Sequence, residues 1–284
     1  MDMININVTK EQAIRQIVKS NVINFAQTFS ERHISEVGNP NGTINMKIHN
    51  VFISALGPEI QYYTSLVRSL DSSLGNMLER MALSIAELKF DVTQNVEGYL
   101  YPEQYQIIST LLEGYKNSKN PLKPEMAHYD QIDKASAVYR NDASLDVSAF
   151  HKTHVSDYCF YDKGTNEYYI IELKIGGDLD NKKARSEKEA IFEQYAILKN
   201  ILPEDAKITC YFATAYNRFG EGMPWQQGRV RQFFCEDELL IGKDFWDFVC
   251  GSEEGYNVVI DEYKKSASFI LDALNDIKYT YLGD

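Results

Sequence analysis

His154-Val155-Ser156-Asp157-Tyr158-Cys159-Phe160-Tyr161, then Asp162-Lys163-Gly164-Thr165-Asn166, then Glu167-Tyr168-Tyr169-Ile170-Ile171-Glu172-Leu173-Lys174-Ile175: this stretch decides the fold. Two runs rich in aromatic and β-branched residues flank a short polar segment, the pattern of a β-hairpin. Side chains alternate faces along a strand. Glu172 and Lys174 therefore share one face, while Ile171, Leu173 and Ile175 turn to the other, toward a core. Asp157 stands on the partner strand, where pairing around the turn can bring it near Glu172. The register is open at this level.

Carboxylates converging beside an ammonium suit one kind of chemistry. Hydrolysis of a phosphodiester needs a divalent ion to activate water and stabilise charge on the phosphate. Magnesium takes carboxylate oxygens and keeps several waters, and an ammonium orients the water or meets the developing charge. The tripeptide (D/E)-x-K recurs as Glu87-Leu88-Lys89, Asp180-Asn181-Lys182, Asp205-Ala206-Lys207, Glu262-Tyr263-Lys264 and Asp276-Ile277-Lys278. Glu87-Leu88-Lys89 falls in a helical pattern, where positions two apart do not share a face. Only Glu172-Leu173-Lys174 has a strand context with an aspartate on the strand before it.

Outward from the hairpin, Gly176-Gly177-Asp178 breaks the second strand, and a helix is predicted from about Asn181 to Asn200. Pro203 follows its end, and Lys207 to Tyr216 reads as another strand. A final amphipathic helix is expected near Glu262 to Lys278. Upstream, Leu145 to Phe150 and Ile44 to Phe52 read as short strands, and Glu103 to Tyr115 as a helix. Asp71-Ser72-Ser73 reads as the cap of a helix running through Leu88. Thr9-Lys10-Glu11-Gln12 has the form of a capping box opening the first helix. The segment Lys116 to Met126, with Pro121 and Pro124, is expected to be a loop. Together these give a mostly helical region over residues 1–125, contributing a first core helix at about 71–90, and a core with further C-terminal helical elements over 126–284, in one continuous domain.

The 284 residues are enough for a substantial core, with 44% hydrophobic and 25% charged residues. The formal charge of −12 argues against non-specific coating of nucleic acid, but a site-specific enzyme needs only a locally positive face. No stretch is apolar enough to span a bilayer and no signal peptide is read, so a cytoplasmic location is expected. Cys159, Cys210, Cys235 and Cys250 form no Cys-x-x-Cys pair and are expected to be free thiols. His151 and His154, three apart, have the wrong phase to share a strand face.

Asp157 followed by a hairpin and Glu172-Leu173-Lys174 resembles the signature of the PD-(D/E)xK nucleases, although Ser156 stands where the motif has proline. That resemblance implies an α/β fold with a mixed central sheet flanked by helices. A closer likeness lies in Ser69-Leu70-Asp71-Ser72-Ser73-Leu74-Gly75-Asn76-Met77-Leu78-Glu79, taken with His154 to Asp157 and Glu172 to Lys174. These are similar to type II restriction endonucleases of the TdeIII family. The likeness implies cleavage of double-stranded DNA at a GGNCC-type palindrome. It also implies Mg2+ held by Asp157 and Glu172, and Lys174 as the catalytic lysine. The Leu173 carbonyl would complete the ligand set, with Glu79 as a further acidic residue. A palindromic target implies a homodimer, and a restriction system implies a cognate DNA methyltransferase.

For DNA contact the candidates are Lys182, Lys183 and Arg185, with Lys188, beside the motif strand, where they could meet phosphates. Arg218, Gln226, Arg229 and Arg231 fall in a loop segment, and Arg and Gln are side chains that read guanine and adenine edges. Gln194 sits where repair-type members carry Gln-x-x-x-Tyr, but residue 198 is Leu, which counts against that branch. The rivals are a repair or defence nuclease of the same fold, and a DNA-binding module without catalysis.

Overall fold

The computed structural model describes residues 2–140 and 146–283. Their contacts divide the chain into two compact units, residues 1–85 with 254–284, and residues 86–253.

The first unit is helical. It contains α1 (Asp2–Ser35), a 3-10 turn at Asn45–His49, α2 (Val51–Ser54), α3 (Pro58–Ala86) and α10 (Gly255–Leu282). Helices α1 and α10 pack along each other. Val18, Val22, Met81, Ile85 and Ile277 are fully buried in this unit. Arg15 bridges α1 to Asp261 of α10 at 2.6 Å.

Three expectations change here. Helix α1 begins at Asp2, so Thr9 lies inside it. Helix α3 begins at Pro58, a residue suited to a first helical turn, and Asp71 is an exposed mid-helix residue. Ile44 to Phe52 forms helical turns instead of a strand.

The second unit holds the sheet. Its elements are β1 (Asp91–Tyr99), α4 (Pro102–Tyr115), α5 (Ala127–Lys134), α6 (Ala137–Arg140), β2 (His151–Asp162) and β3 (Glu167–Lys174). After these come α7 (Asn181–Ile201), β4 (Lys207–Thr214), α8 (Gly228–Arg231), β5 (Leu239–Ile241) and α9 (Lys243–Cys250). Strand order is β1-β2-β3-β4-β5. The first three strands pair antiparallel, and β3-β4-β5 pair parallel. This is the mixed sheet with flanking helices that was expected.

The parallel pair needs a crossover, and α7 supplies it, lying against β1, β3 and β4 with α4 and α5 beside it. Ile170, Cys210, Phe212, Ile191 and Phe192 make the core under α7. On the opposite face Phe248 of α9 meets Phe90, Tyr169 and Tyr211, with ring centroids 5.0–5.7 Å apart.

The predicted strand at Leu145–Phe150 is replaced over Val147–Phe150 by a 3-10 turn, and Leu145 lies outside the described residues. Strand β1 was not foreseen. It is an edge strand of polar composition whose alternation of buried and exposed residues is interrupted by a bulge between Thr93 and Asn95. Glu87-Leu88-Lys89 forms a turn after α3, where Lys89 pairs with Asp162 at 3.3 Å.

Candidate active site

The hairpin register pairs Tyr158 with Ile171 as its last rung. Beyond that rung the strands part, and the freed Leu173 N–H donates to Asp157 Oδ2 at 2.8 Å. Strand β3 stays paired to β4 through Lys174↔Thr214, which keeps the motif extended. Ile171 and Leu173 are fully buried on one face. Asp157, Glu172 and Lys174 project from the other, as alternation requires. Ser156, in the place of proline, is buried and donates to the Tyr158 carbonyl at 3.1 Å.

Lys174 Nζ lies 3.4 Å from Asp157 Oδ2, 3.8 Å from Glu172 Oε2 and 3.2 Å from Glu187 Oε2. Glu187 and Gln194 come from α7, and Gln194 Nε2 donates to Glu172 Oε1 at 2.8 Å. Three carboxylates thus face one ammonium. Burial, then the charge of Asp157, pushes the Glu172 carboxyl up to about 8, against the opposing pull of Lys174 and Gln194. Burial alone would lower Lys174, but Asp157, Glu187 and Glu172 outweigh it and raise the ammonium above its ordinary value.

Sequence reasoning missed Glu187, and it read Gln194 only as a broken motif. A signal for both existed. They are seven residues apart, two helical turns, on the side of α7 that carries the buried stripe of Ala184, Ile191 and Leu198. Polar residues on that stripe point at the sheet, and here they point at its charged end.

The donor set fits a hard divalent cation. Hard oxygens are present, positive charge is short, and burial together with the charge of Asp157 disfavours the ionised form of Glu172, which a nearby cation would stabilise. Among the described residues no three His, Cys, Asp or Glu side chains are gathered as a ready metal cage. The chain offers two motif carboxylates, Asp157 and Glu172, the kind of partial set magnesium accepts alongside water.

The remaining candidates fall into distinct places. Lys182 and Lys183 are exposed at the start of α7, where Asp180 caps the helix by accepting from Lys183 N–H at 2.8 Å. Arg185 pairs with Glu189 at 2.9 Å and Glu113 at 3.2 Å. Lys188 is corrected: it is 1% exposed, paired with Glu238 and stacked on Phe192, and is not on a solvated face. Arg218 pairs with Asp178, beside Gly177 at the end of β3. Arg231 donates to the Trp225 carbonyl at 3.0 Å and pairs with Glu236 at 2.7 Å. Gln226 and Arg229 are exposed. Glu79 lies half-buried on α3, in the helical unit. His151 and His154 pair separately, with Glu97 and Glu193.

The loops after β3 and β4 meet at the carboxyl ends of two parallel strands, the usual place for a ligand site in such sheets. No helix among the described residues is long and apolar enough to cross a membrane.

No curated protein and no solved structure matches this chain. A family model does match, over residues 10–267, and its description is type II restriction endonuclease, HinfI. The match is with that family; the narrower TdeIII likeness is not shown by it. With a match over most of its length, spanning both units and the whole acidic cluster around Lys174, the chain belongs to the HinfI family of type II restriction endonucleases.

Proposed function

We propose that the chain cuts double-stranded DNA at a short palindrome in a magnesium-dependent reaction, leaving 5′-phosphate and 3′-hydroxyl ends. The supporting observation is the convergence of Asp157, Glu172 and Glu187 on Lys174 at the carboxyl ends of β3 and β4. Asp157, Glu172 and the Leu173 carbonyl would hold the magnesium ion. When bound, the ion supplies charge stabilisation at phosphate and a more acidic water.

The chain's own residues do the rest. Lys174, kept charged by its carboxylates, orients the attacking water or faces the developing phosphate charge. Gln194 fixes the orientation of Glu172 through its 2.8 Å hydrogen bond. Lys182, Lys183 and Arg185 sit where a helix start can meet backbone phosphates. Arg218, Gln226, Arg229 and Arg231 belong to the segment that would reach base edges.

Glu79 as a further acidic residue, the GGNCC-type target and a cognate methyltransferase in the same system, though not a stable partner, rest on the TdeIII likeness. A homodimer follows from a palindromic target, and a cytoplasmic location from where the DNA substrate lies.

The test is digestion of a closed circular plasmid by wild type and Glu172→Ala, with magnesium and with chelator. Discrete bands from wild type only, lost with chelator, are the expected result, and sequencing the ends gives the site and the overhang. Cutting only from free ends would mean a repair-type nuclease. Binding with no cutting in any divalent metal would mean a non-catalytic module. Unchanged cutting by Glu172→Ala would remove that residue from the active site.

A further inference from the structure

Two adjoining cavities in the helical unit, of about 290 and 550 Å³, share Arg32, Ser73 and Asn76. They form one groove between the α1 face carrying Asn21, Asn24 and Arg32 and the α3 face from Ser65 to Arg80. Phe25, Phe29 and Met77 make its apolar floor.

The charge on this groove is one-sided. Arg32, Lys47, Arg68 and Arg80 line it, and among the described residues no carboxylate does. Among the described residues none of these four cations has an ion-pair partner, although the chain carries 41 acidic residues against 29 basic ones. Among the described residues, Arg32 is held in place by neutral groups. It donates to Ser69 Oγ at 2.7 Å, contacts His33 at 3.1 Å and lies over the Phe29 ring at 5.3 Å. In so acidic a protein, that arrangement is explained by an anion that supplies the missing charge.

The rest of the lining suits phosphate oxygens. Hydroxyls and amides recur at helical spacing on α3, at Ser65, Ser69, Ser72, Ser73 and Asn76. Four of these lie in the 69–79 stretch that the sequence singled out. Protein contacts to a DNA backbone are made mainly by such groups together with Arg and Lys. An open, elongated groove with cations along it fits a chain of phosphates better than one small anion.

We propose that this groove binds the phosphodiester backbone of the DNA substrate, so that the helical unit is a DNA-binding surface in its own right. The assignment rests on the proposal that the chain cuts DNA.

The experiment measures binding of a fluorescent duplex by anisotropy across a salt series, in chelator, alongside plasmid cleavage in magnesium. It compares wild type, Arg68→Gln/Arg80→Gln, Arg68→Lys/Arg80→Lys, and Lys119→Gln as an exposed cation outside the groove. Arg68 and Arg80 are exposed, so the fold tolerates both changes.

The double Gln variant should bind at least about 10-fold more weakly at 100 mM salt. Its slope of log affinity against log salt should fall by about 1.8, near 0.9 for each lost phosphate contact. The loss should be equal for target and scrambled duplexes. The double Lys variant should recover most of the affinity, and Lys119→Gln should behave as wild type. If wild type cuts DNA and the double Gln variant binds with unchanged affinity and slope, the groove is not a DNA site and the nuclease assignment stands. A loss confined to the target duplex would overturn the phosphate assignment. Wild type that neither binds nor cuts would overturn both proposals.

Discussion

At the scale of single residues, Lys174 depends on its neighbours. Its nearest carboxylate is Glu187, at 3.2 Å, which comes from a helix and not from the motif. Glu187→Gln keeps the volume but removes the charge that holds the ammonium. Cleavage kcat should fall by about 10- to 100-fold, as when a partner that orients an active-site group is removed. KM for DNA should stay nearly unchanged, and Glu187→Asp should recover part of the rate. An equal fall for Gln and Asp, accompanied by a lower melting temperature, would mean a structural role only.

Lys188, one residue further on, has an opposite fate. It and Glu238 are both 1% exposed and pair with each other beneath Tyr129. Losing one partner of a buried pair leaves the other charge uncompensated. Lys188→Met should therefore cost about 3–5 kcal/mol in urea unfolding. Lys188→Met/Glu238→Leu should recover much of it. A single variant as stable as wild type would show that the pair is not coupled.

At the scale of elements, the site is made by the end of a hairpin ladder and the start of a crossover. The hairpin was legible because its signals are local: alternation, a polar turn, and side chains two apart on one face. The turn after β3 also carries a local signal. Gly177 has φ of +64°, and a Cβ there would stand 2.7 Å from Thr214 Cγ2 and 3.0 Å from Trp225 Cζ2. Gly177→Ala should lose at least about 1–2 kcal/mol from the left-handed backbone alone. Cleavage should fall with it, since the turn follows Lys174 directly. A variant with wild-type melting and cleavage would show that the turn adapts freely.

Strand β1 was not legible, because an edge strand need bury only part of one face. Asp91–Tyr99 shows few buried side chains, and what makes it a strand is its pairing to β2, some 60 residues later. The false strand at Ile44–Phe52 and the false cap at Asp71 have a common cause. Short apolar runs and Asp-Ser pairs are compatible with several local states, and the neighbouring sequence alone does not choose among them.

At the scale of the whole molecule, the charge of −12 is not evenly spread. Acidic residues converge on Lys174 in the sheet unit, while cations without acidic partners line a groove in the helical unit. If the target is a palindrome, two copies of the chain match its two-fold symmetry. Sedimentation equilibrium with a palindromic duplex in chelator should then show two 32.6 kDa chains per duplex. One chain per duplex would sink the homodimer and, with it, the simple palindromic scheme.

The hairpin, the shared face of Glu172 and Lys174, the loop at 116–126 and the long helix after the motif were legible in the order of residues, because each depends on residues close together in the chain. The rest came from packing between distant segments. Helix α7, crossing back over the sheet, brought Glu187 and Gln194 to the motif and took Lys188 into the core. Docking of α10 on α1 joined the two ends of the chain in one unit. Such contacts join residues far apart in the chain, and side-chain type and spacing do not encode which distant surface an element will cover.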